Sequence, residues 1–586
     1  MSGDRCTAGR WVRRLVRMNL RRFLAAVTAP LAVLGTTTVA GSLPAQASAQ
    51  PGPLSTVKWK ACPEYSDQVL DWMGVRDKAW FRATMARMDC GTVEVPLNYA
   101  DPSGRSISVA VTRLPATDHA HRLGSLAVNP GGPGGSGYLM PIELSQPGAP
   151  TAKLNERYDL IGFDPRGVGY STKVDCEAGG PAGVQAQGLA GLQGWAGLQG
   201  LQAQGVQAQG VSPSQITEDD ARQMYDKQVQ ANKDCAQADP AFIGQLTTGN
   251  VARDLDRIRI GLGEKKLSYL GVSWGSWLGP VYRSLFPGKV ARMWVDSVAP
   301  PDPRMDAFEA GRAKATAMDF SRMAAWMARF DDTYGFGTTP EQVEAALAEL
   351  RRDFDAHPRT FTDLERPVDG FVIAISAAQP SVAWPLAAKV LAELRDATGP
   401  TAPPTVKEVL GGGERTPPPA GVPEMDNSTA NQAIFCNGDG GARDFDSAWA
   451  AYQDGLTRYP VTGVLSFPVP SCAGWPLPVE HIRLLHTGGS LQLSGHRYES
   501  VSAYEWTGDM QDAVGGEVFT VEDDMHGSAL MEPGCATHVV AYLDTGDPGA
   551  TGCQGVPVPT GPDELPKAGA QLAGSQPQFG AMSAGR

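Results

Sequence analysis

Leu267-Ser268-Tyr269-Leu270-Gly271-Val272-Ser273-Trp274-Gly275-Ser276 is the stretch that decides the fold. A short apolar run ends in Gly-x-Ser-x-Gly and leads into the helical pattern Trp277 to Phe286. That is the strand–turn–helix context of a nucleophile elbow, where flanking glycines let the chain turn sharply and leave Ser273 exposed at the top of a parallel sheet. The motif alone is weak. With 68 glycines in 586 residues, roughly half of one such match arises by chance. The rest of the chain must therefore supply an oxyanion site, a base and an acid in the right order.

Upstream, the apolar run Leu123 to Val128 enters Asn129-Pro130-Gly131-Gly132-Pro133-Gly134-Gly135-Ser136-Gly137. So many glycines after a strand point to close approach of backbone to a ligand. A phosphate loop would end in Lys-Ser/Thr, and Tyr138-Leu139 stands there instead. An oxyanion loop needs a bare N–H after an early strand, which fits. Tyr158 to Phe163 is a further strand, ending in Asp164-Pro165-Arg166-Gly167-Val168-Gly169-Tyr170-Ser171. Helices are expected at Glu218 to Ala236 and Asn250 to Leu262, and a strand at Val290 to Val295 ending at Asp296. This alternation of strands and helices predicts an α/β fold with a mostly parallel, doubly wound sheet.

Past Pro300 the pattern becomes helical: Met305 to Tyr334, Pro340 to Phe354, Pro385 to Ala397 and Asp444 to Tyr459. The sheet is expected to resume at Ile482 to Leu485 and at Val518 to Val521. Residues 50–299 and 479–555 then form an α/β core, interrupted by a helical cap over 300–478. Caps of this kind commonly cover sites at the C-terminal ends of strands. Residues 177–216 hold near-repeats of Val-Gln-Ala-Gln-Gly without charge and read as a flexible insertion, and 556–586 as a disordered tail.

Seven arginines between Arg5 and Arg22, the apolar stretch Phe23 to Val39 and the small residues Ala45 to Ala49 read as a signal peptide over residues 1–49. No apolar run there reaches the ~20 residues of a membrane span, so no stable membrane insertion is expected after cleavage. Eight cysteines remain beyond it, an even number that suits an exported, disulfide-bonded chain. None forms Cys-x-x-Cys, so no metal site is expected, and no cofactor. A formal net charge of −13 argues against nucleic acid as a partner.

Asn129-Pro130-Gly131-Gly132-Pro133-Gly134, Asp164-Pro165-Arg166-Gly167-x-Gly-x-Ser171, Gly271-x-Ser273-Trp274-Gly275-Ser276, Cys472-Ala473-Gly474-Trp475-Pro476 and Asp523-Asp524-Met525-His526-Gly527 follow one another in order. Together they resemble the secreted bacterial tripeptidyl aminopeptidases, in the prolyl-aminopeptidase branch of the α/β-hydrolases. The resemblance implies a secreted or cell-surface serine exopeptidase removing short peptides from free N-termini; a monomer is expected. It places the nucleophile at Ser273, the general base at His526 and the oxyanion hole at the backbone N–H groups of Gly132 and Trp274. It also implies cap carboxylates for the substrate amine, with Glu309, Asp319, Asp426 and Asp439 as candidates. With locality along the chain, it suggests the pairs Cys62–Cys90, Cys176–Cys235, Cys436–Cys472 and Cys535–Cys553.

One departure concerns the acid. The family carries it in an Asp-Pro-x-Thr-Pro turn after the penultimate strand. With that strand at Ile482 to Leu485, the turn is Gly488 to Ser494, which has no carboxylate. Glu499 reads as already helical, so Asp296 at the end of the strand after the nucleophile helix is the expected acid, its alternative role being to order the entry to the cap. Two other functions remain open: a carboxylic-ester hydrolase on the same machinery, and an inactive surface or binding protein.

Overall fold

The computed structural model describes residues 56–176, 215–411 and 417–564. The expected signal segment, nearly all of the Gln/Gly insertion and the end from 565 lie outside the described residues. Among those described, the strands are β1 (Lys58–Lys60), β2 (Asp89–Pro96), β3 (Ser106–Leu114), β4 (Gly124–Asn129), β5 (Tyr158–Phe163), β6 (Leu267–Val272), β7 (Val290–Asp296), β8 (Ser490–His496), β9 (Glu517–Val521) and β10 (Gly552–Cys553). They form one sheet in the order β1-β2-β3-β5-β4-β6-β7-β8-β9-β10. The pairs among β1, β2, β3 and β5 are antiparallel. Every pair from β5 through β4 to β10 is parallel.

The central strands β4, β5 and β6 are buried almost throughout because helices cover both faces. On one face Tyr269, Met293 and Val295 pack with Val251, Leu255 and Leu278; on the other Leu270, Val272 and Trp294 pack with Phe519 and Tyr542. This two-sided burial is why β6 reads as a continuous apolar run rather than an alternating one. Arg166, from the Asp-Pro-Arg-Gly loop after β5, is fully buried and holds Asp254 through two hydrogen bonds of 2.7 Å. It also donates to the carbonyls of Pro96, Leu97 and Gln245, so this motif residue ties the loop to the sheet and to the helix Thr248–Gly261.

Between β7 and β8 the chain is helical, with helices Met305–Ala328, Pro340–Ala356, Gly370–Ala377, Trp384–Asp396, Ser428–Gly438 and Phe445–Arg458. Phe320, Met323, Trp326, Leu347, Trp384 and Leu391 belong to an apolar cluster of this insertion that includes no residue of the sheet. The cysteines are joined Cys62–Cys90, Cys176–Cys235, Cys436–Cys472 and Cys535–Cys553. Among the described residues no single helix is long and apolar enough to cross a membrane.

Two sequence expectations need correction. Ile482 to Leu485 is not a strand; it runs without regular structure, Leu485 N–H donating to Ser284 Oγ at 3.0 Å. The strand that precedes β9 is instead β8, eight residues further on. Residues 556–564, expected in a disordered tail, are placed: Val556 N–H donates to Asp523 and the Pro559 carbonyl accepts from Trp326 Nε1.

Candidate active site

Ser273 sits between β6 and the helix Gly275–Leu285 with φ of 58°, a left-handed conformation rare for a residue with a side chain. The strain is held from three sides. Ser273 N–H donates to the Asp296 carbonyl at 3.0 Å. Ser276 N–H and Oγ both return to the Ser273 carbonyl, and Tyr269 Oη donates to the Gly275 carbonyl at 2.9 Å. Ser273 is left half-buried while both its neighbours are buried.

The glycine loop after β4 lies directly on this elbow. A Cβ on Gly131 would stand 2.5 Å from the Val272 carbonyl and 2.8 Å from Ser273 Cβ, so only glycine fits there. The N–H groups of Gly132 and Trp274 have no hydrogen-bond acceptor among the described residues. The insertion clamps the loop: Ser136 N–H donates to the Met425 carbonyl, Asn427 N–H to the Gly134 carbonyl and Asn431 Nδ2 to the Pro133 carbonyl.

His526 follows β9 and is half-buried. Its neighbour Gly527 packs on the residue before the nucleophile elbow serine, since a Cβ there would lie 3.2 Å from Val272 Cγ1. Gly527 N–H donates to Ser297 Oγ at 2.9 Å, one residue past β7. His526 Nδ1 donates to Glu499 Oε1 in a short contact. Glu499 is 1% exposed; its Oε1 also accepts from Ser502 N–H, and its Oε2 has no partner.

Asp296, expected to serve His526, does not reach it. Its Oδ1 accepts from Nε2 of His496 at 3.0 Å and its Oδ2 is unpartnered. The reason is the register of the last strands. β8 ends at His496 and the next helix starts at Glu505, so Glu499 lies in the turn after β8 rather than on a helix. Gln492, the polar residue of the turn assumed from the sequence, is buried within β8 and donates to the Glu517 carbonyl.

The four cap carboxylates separate clearly. Asp439 accepts from Met305 N–H, Gly441 N–H and Arg443. Asp319 is paired with Arg322, and Glu309 stands 3.7 Å from Arg312. Asp426 meets Gly135 of the glycine loop through a backbone bridge, and among the described residues its side chain makes no hydrogen bond or ion pair. Burial and the nearby Glu424 push its carboxyl up to about 6. No group of three or more His, Cys, Asp or Glu side chains among the described residues is arranged to hold a metal ion.

A strained elbow serine directly after a parallel strand, a glycine loop packed on it, and an imidazole held by a buried carboxylate on the turns after β8 and β9 are the arrangement of an α/β-hydrolase fold. The alpha/beta hydrolase fold family matches residues 125–351, which run from β4 past the elbow into the insertion. The chain is similar to the tripeptidyl aminopeptidase of Streptomyces lividans, 36% identical over 267 residues that cover 45% of each protein. It is also similar to the serine protease Hip1 of Mycobacterium bovis, 33% identical over 40% of this chain and 41% of that one. A third relative is carboxylesterase B of Mycobacterium tuberculosis, 31% identical over 34% of this chain and 32% of that protein. Each match thus spans less than half of the relative's length.

Proposed function

We propose that the chain is a secreted serine exopeptidase that releases short peptides from free N-termini. The observation that carries it is the Glu499–His526 contact on a loop packed against the Ser273 elbow. Glu499 holds the imidazole in the tautomer with Nδ1 protonated and stabilises the imidazolium that forms. Nε2, which has no hydrogen bond among the described residues, takes the Ser273 proton as Oγ bonds to the scissile carbonyl carbon. The N–H groups of Gly132 and Trp274 receive the oxyanion. Collapse of the tetrahedral intermediate breaks the C–N bond, and His526 gives the proton to the departing amine. Water then repeats the sequence on the acyl-enzyme and releases the acid.

The substrate reading is supported by the name of the Streptomyces relative and by Asp426. A half-buried carboxylate beside the oxyanion loop, without a partner among the described residues, suits a substrate ammonium group, and its three rivals are already bound to neighbours. The helical insertion serves as a cap limiting how much peptide lies beyond the scissile bond. Four disulfides fit export. A second reading, hydrolysis of carboxylic esters, is favoured by the carboxylesterase relative. Comparing free with N-acetylated tripeptide amides, beside simple esters, separates them. Faster cleavage of the free peptides supports the exopeptidase; equal rates on both peptides, with esters preferred, refute it.

A further inference from the structure

Beneath the candidate triad lies a second charged cluster that the proposed chemistry does not use. Asp296, His496 and Asp523 are 0%, 0% and 1% exposed. His496 Nε2 lies 3.0 Å from Asp296 Oδ1 and its Nδ1 lies 2.7 Å from Asp523 Oδ1. With a carboxylate on each ring nitrogen, both nitrogens act as donors and the ring is an imidazolium. The two carboxylates hold that proton against burial, raising the His496 pKa well above its ordinary value. Asp523 is held below the usual carboxylate range by the same contact, despite the opposing effect of burial. Asp524, next to Asp523, is turned toward Ser381 and Arg322 of the insertion.

We infer that this cluster is the positioning element of the catalytic site, fixing the three loops on which Ser273, Glu499 and His526 stand. The inference rests on the triad reading above, and not on the peptide substrate. Each member of the cluster leads into one member of the triad. The main-chain carbonyl of Asp296 accepts from Ser273 N–H, and Ser297, beside it at φ 51°, accepts from Gly527 N–H. His496 stands three residues before Glu499, and Asp523 three before His526. Asp523 further gathers Ser528 Oγ at 2.6 Å and Val556 N–H at 2.8 Å, so the loop carrying His526 is wrapped around its carboxylate.

Energetics support a geometric role. Three buried charged groups cost more than apolar side chains of the same volume, so such a cluster is weak evidence for stability. Its directional bonds instead set the ends of β7, β8 and β9 relative to one another, and the angle at which Glu499 meets His526 follows from that. A misplacement of about 1 Å in a reacting group is enough to lower a rate by about 10²-fold.

The test uses the full chain and a fluorophosphonate, which needs the triad but no peptide recognition. Inactivation rates are measured against pH for wild type, His496→Gln and Asp523→Asn, with circular dichroism to confirm folding. The expected result is folded variants that react about 10²-fold more slowly. In His496→Gln the alkaline decline that follows loss of the His496 proton should also be missing. Wild-type rates in a folded variant overturn the inference, and so does a lower rate whose pH profile keeps the wild-type shape. If both variants fail to fold, Ser528→Ala removes one bond to Asp523 and should slow inactivation by about threefold or more; an unchanged rate there overturns it equally. A wild-type chain that does not react refutes the triad reading itself, whereas a reactive wild type with equally reactive variants refutes the cluster alone.

Discussion

Replacing Glu499 by glutamine should cost turnover far more than its single atom suggests. The carboxylate is buried, its Oε2 is unpartnered, and its charge faces His526 Nδ1. Two unit charges about 4 Å apart at an effective dielectric of about 20 attract by about 4 kcal/mol. That attraction exists only once His526 is protonated, so it stabilises the transition state and not the resting enzyme. A loss of this size corresponds to about 10³-fold in rate. Glutamine can also donate its amide N–H toward the ring and favour the wrong tautomer, which extends the loss toward about 10⁴-fold. The assay is second-order inactivation by a fluorophosphonate, beside ester hydrolysis, for wild type, Glu499→Gln and Asp296→Asn. Glu499→Gln should fold normally and be the slower of the two variants. Near-normal rates in Glu499→Gln with collapse in Asp296→Asn would refute the assignment and restore Asp296 as the acid.

Asp426→Asn should raise KM for free tripeptide amides by about tenfold or more, leaving simple esters, which carry no ammonium group, unaffected. Because its carboxyl is pushed up to about 6, protonation should likewise raise KM for free peptides as pH falls below that value; a pH-independent KM argues against it. Glu143 is buried after the glycine loop, and burial alone pushes its carboxyl up to about 8. The folded state therefore holds a proton that the unfolded chain gives up, and stability falls as pH rises from the unfolded value near 4.5 through 8, by about 3 kcal/mol at pH 7. Glu143→Gln should remove this decline, so thermal melts of variant and wild type should diverge from pH 5 to 8. Arg166→Met leaves the buried Asp254 carboxylate without its cation, with the Tyr99 hydroxyl still donating to it at 2.8 Å, and should destabilise by about 3 kcal/mol in urea titrations.

The elbow was legible because glycine, serine and an apolar strand stand in a short, contiguous stretch. The glycine loop was legible for the same reason, and the crowding of Gly131 against Val272 and Ser273 shows why that residue type is required. The acid was not. β8 has Leu491 and Leu493 alternating with Gln492, Ser494 and His496, all buried. A buried strand with one polar face looks like a loop, and the apolar Ile482-Arg483-Leu484-Leu485 drew the strand assignment instead. That displacement moved the expected turn away from Glu499. The signal was present in the alternation itself and in the Gly495-His496 pair before Glu499, but the place of His496 on that face is explained only by its contacts with Asp523 and with Asp296, 200 positions away. Asp426 was named among four equals because partnership between side chains is not visible in a sequence.

The most direct measurement is labelling of the full chain with a fluorophosphonate, followed by peptide mass spectrometry. A single adduct on Ser273, absent from Ser273→Ala and strongly slowed in Glu499→Gln and His526→Ala, is the predicted result. No adduct on the folded wild-type chain, or an adduct that persists in Ser273→Ala, would contradict the account.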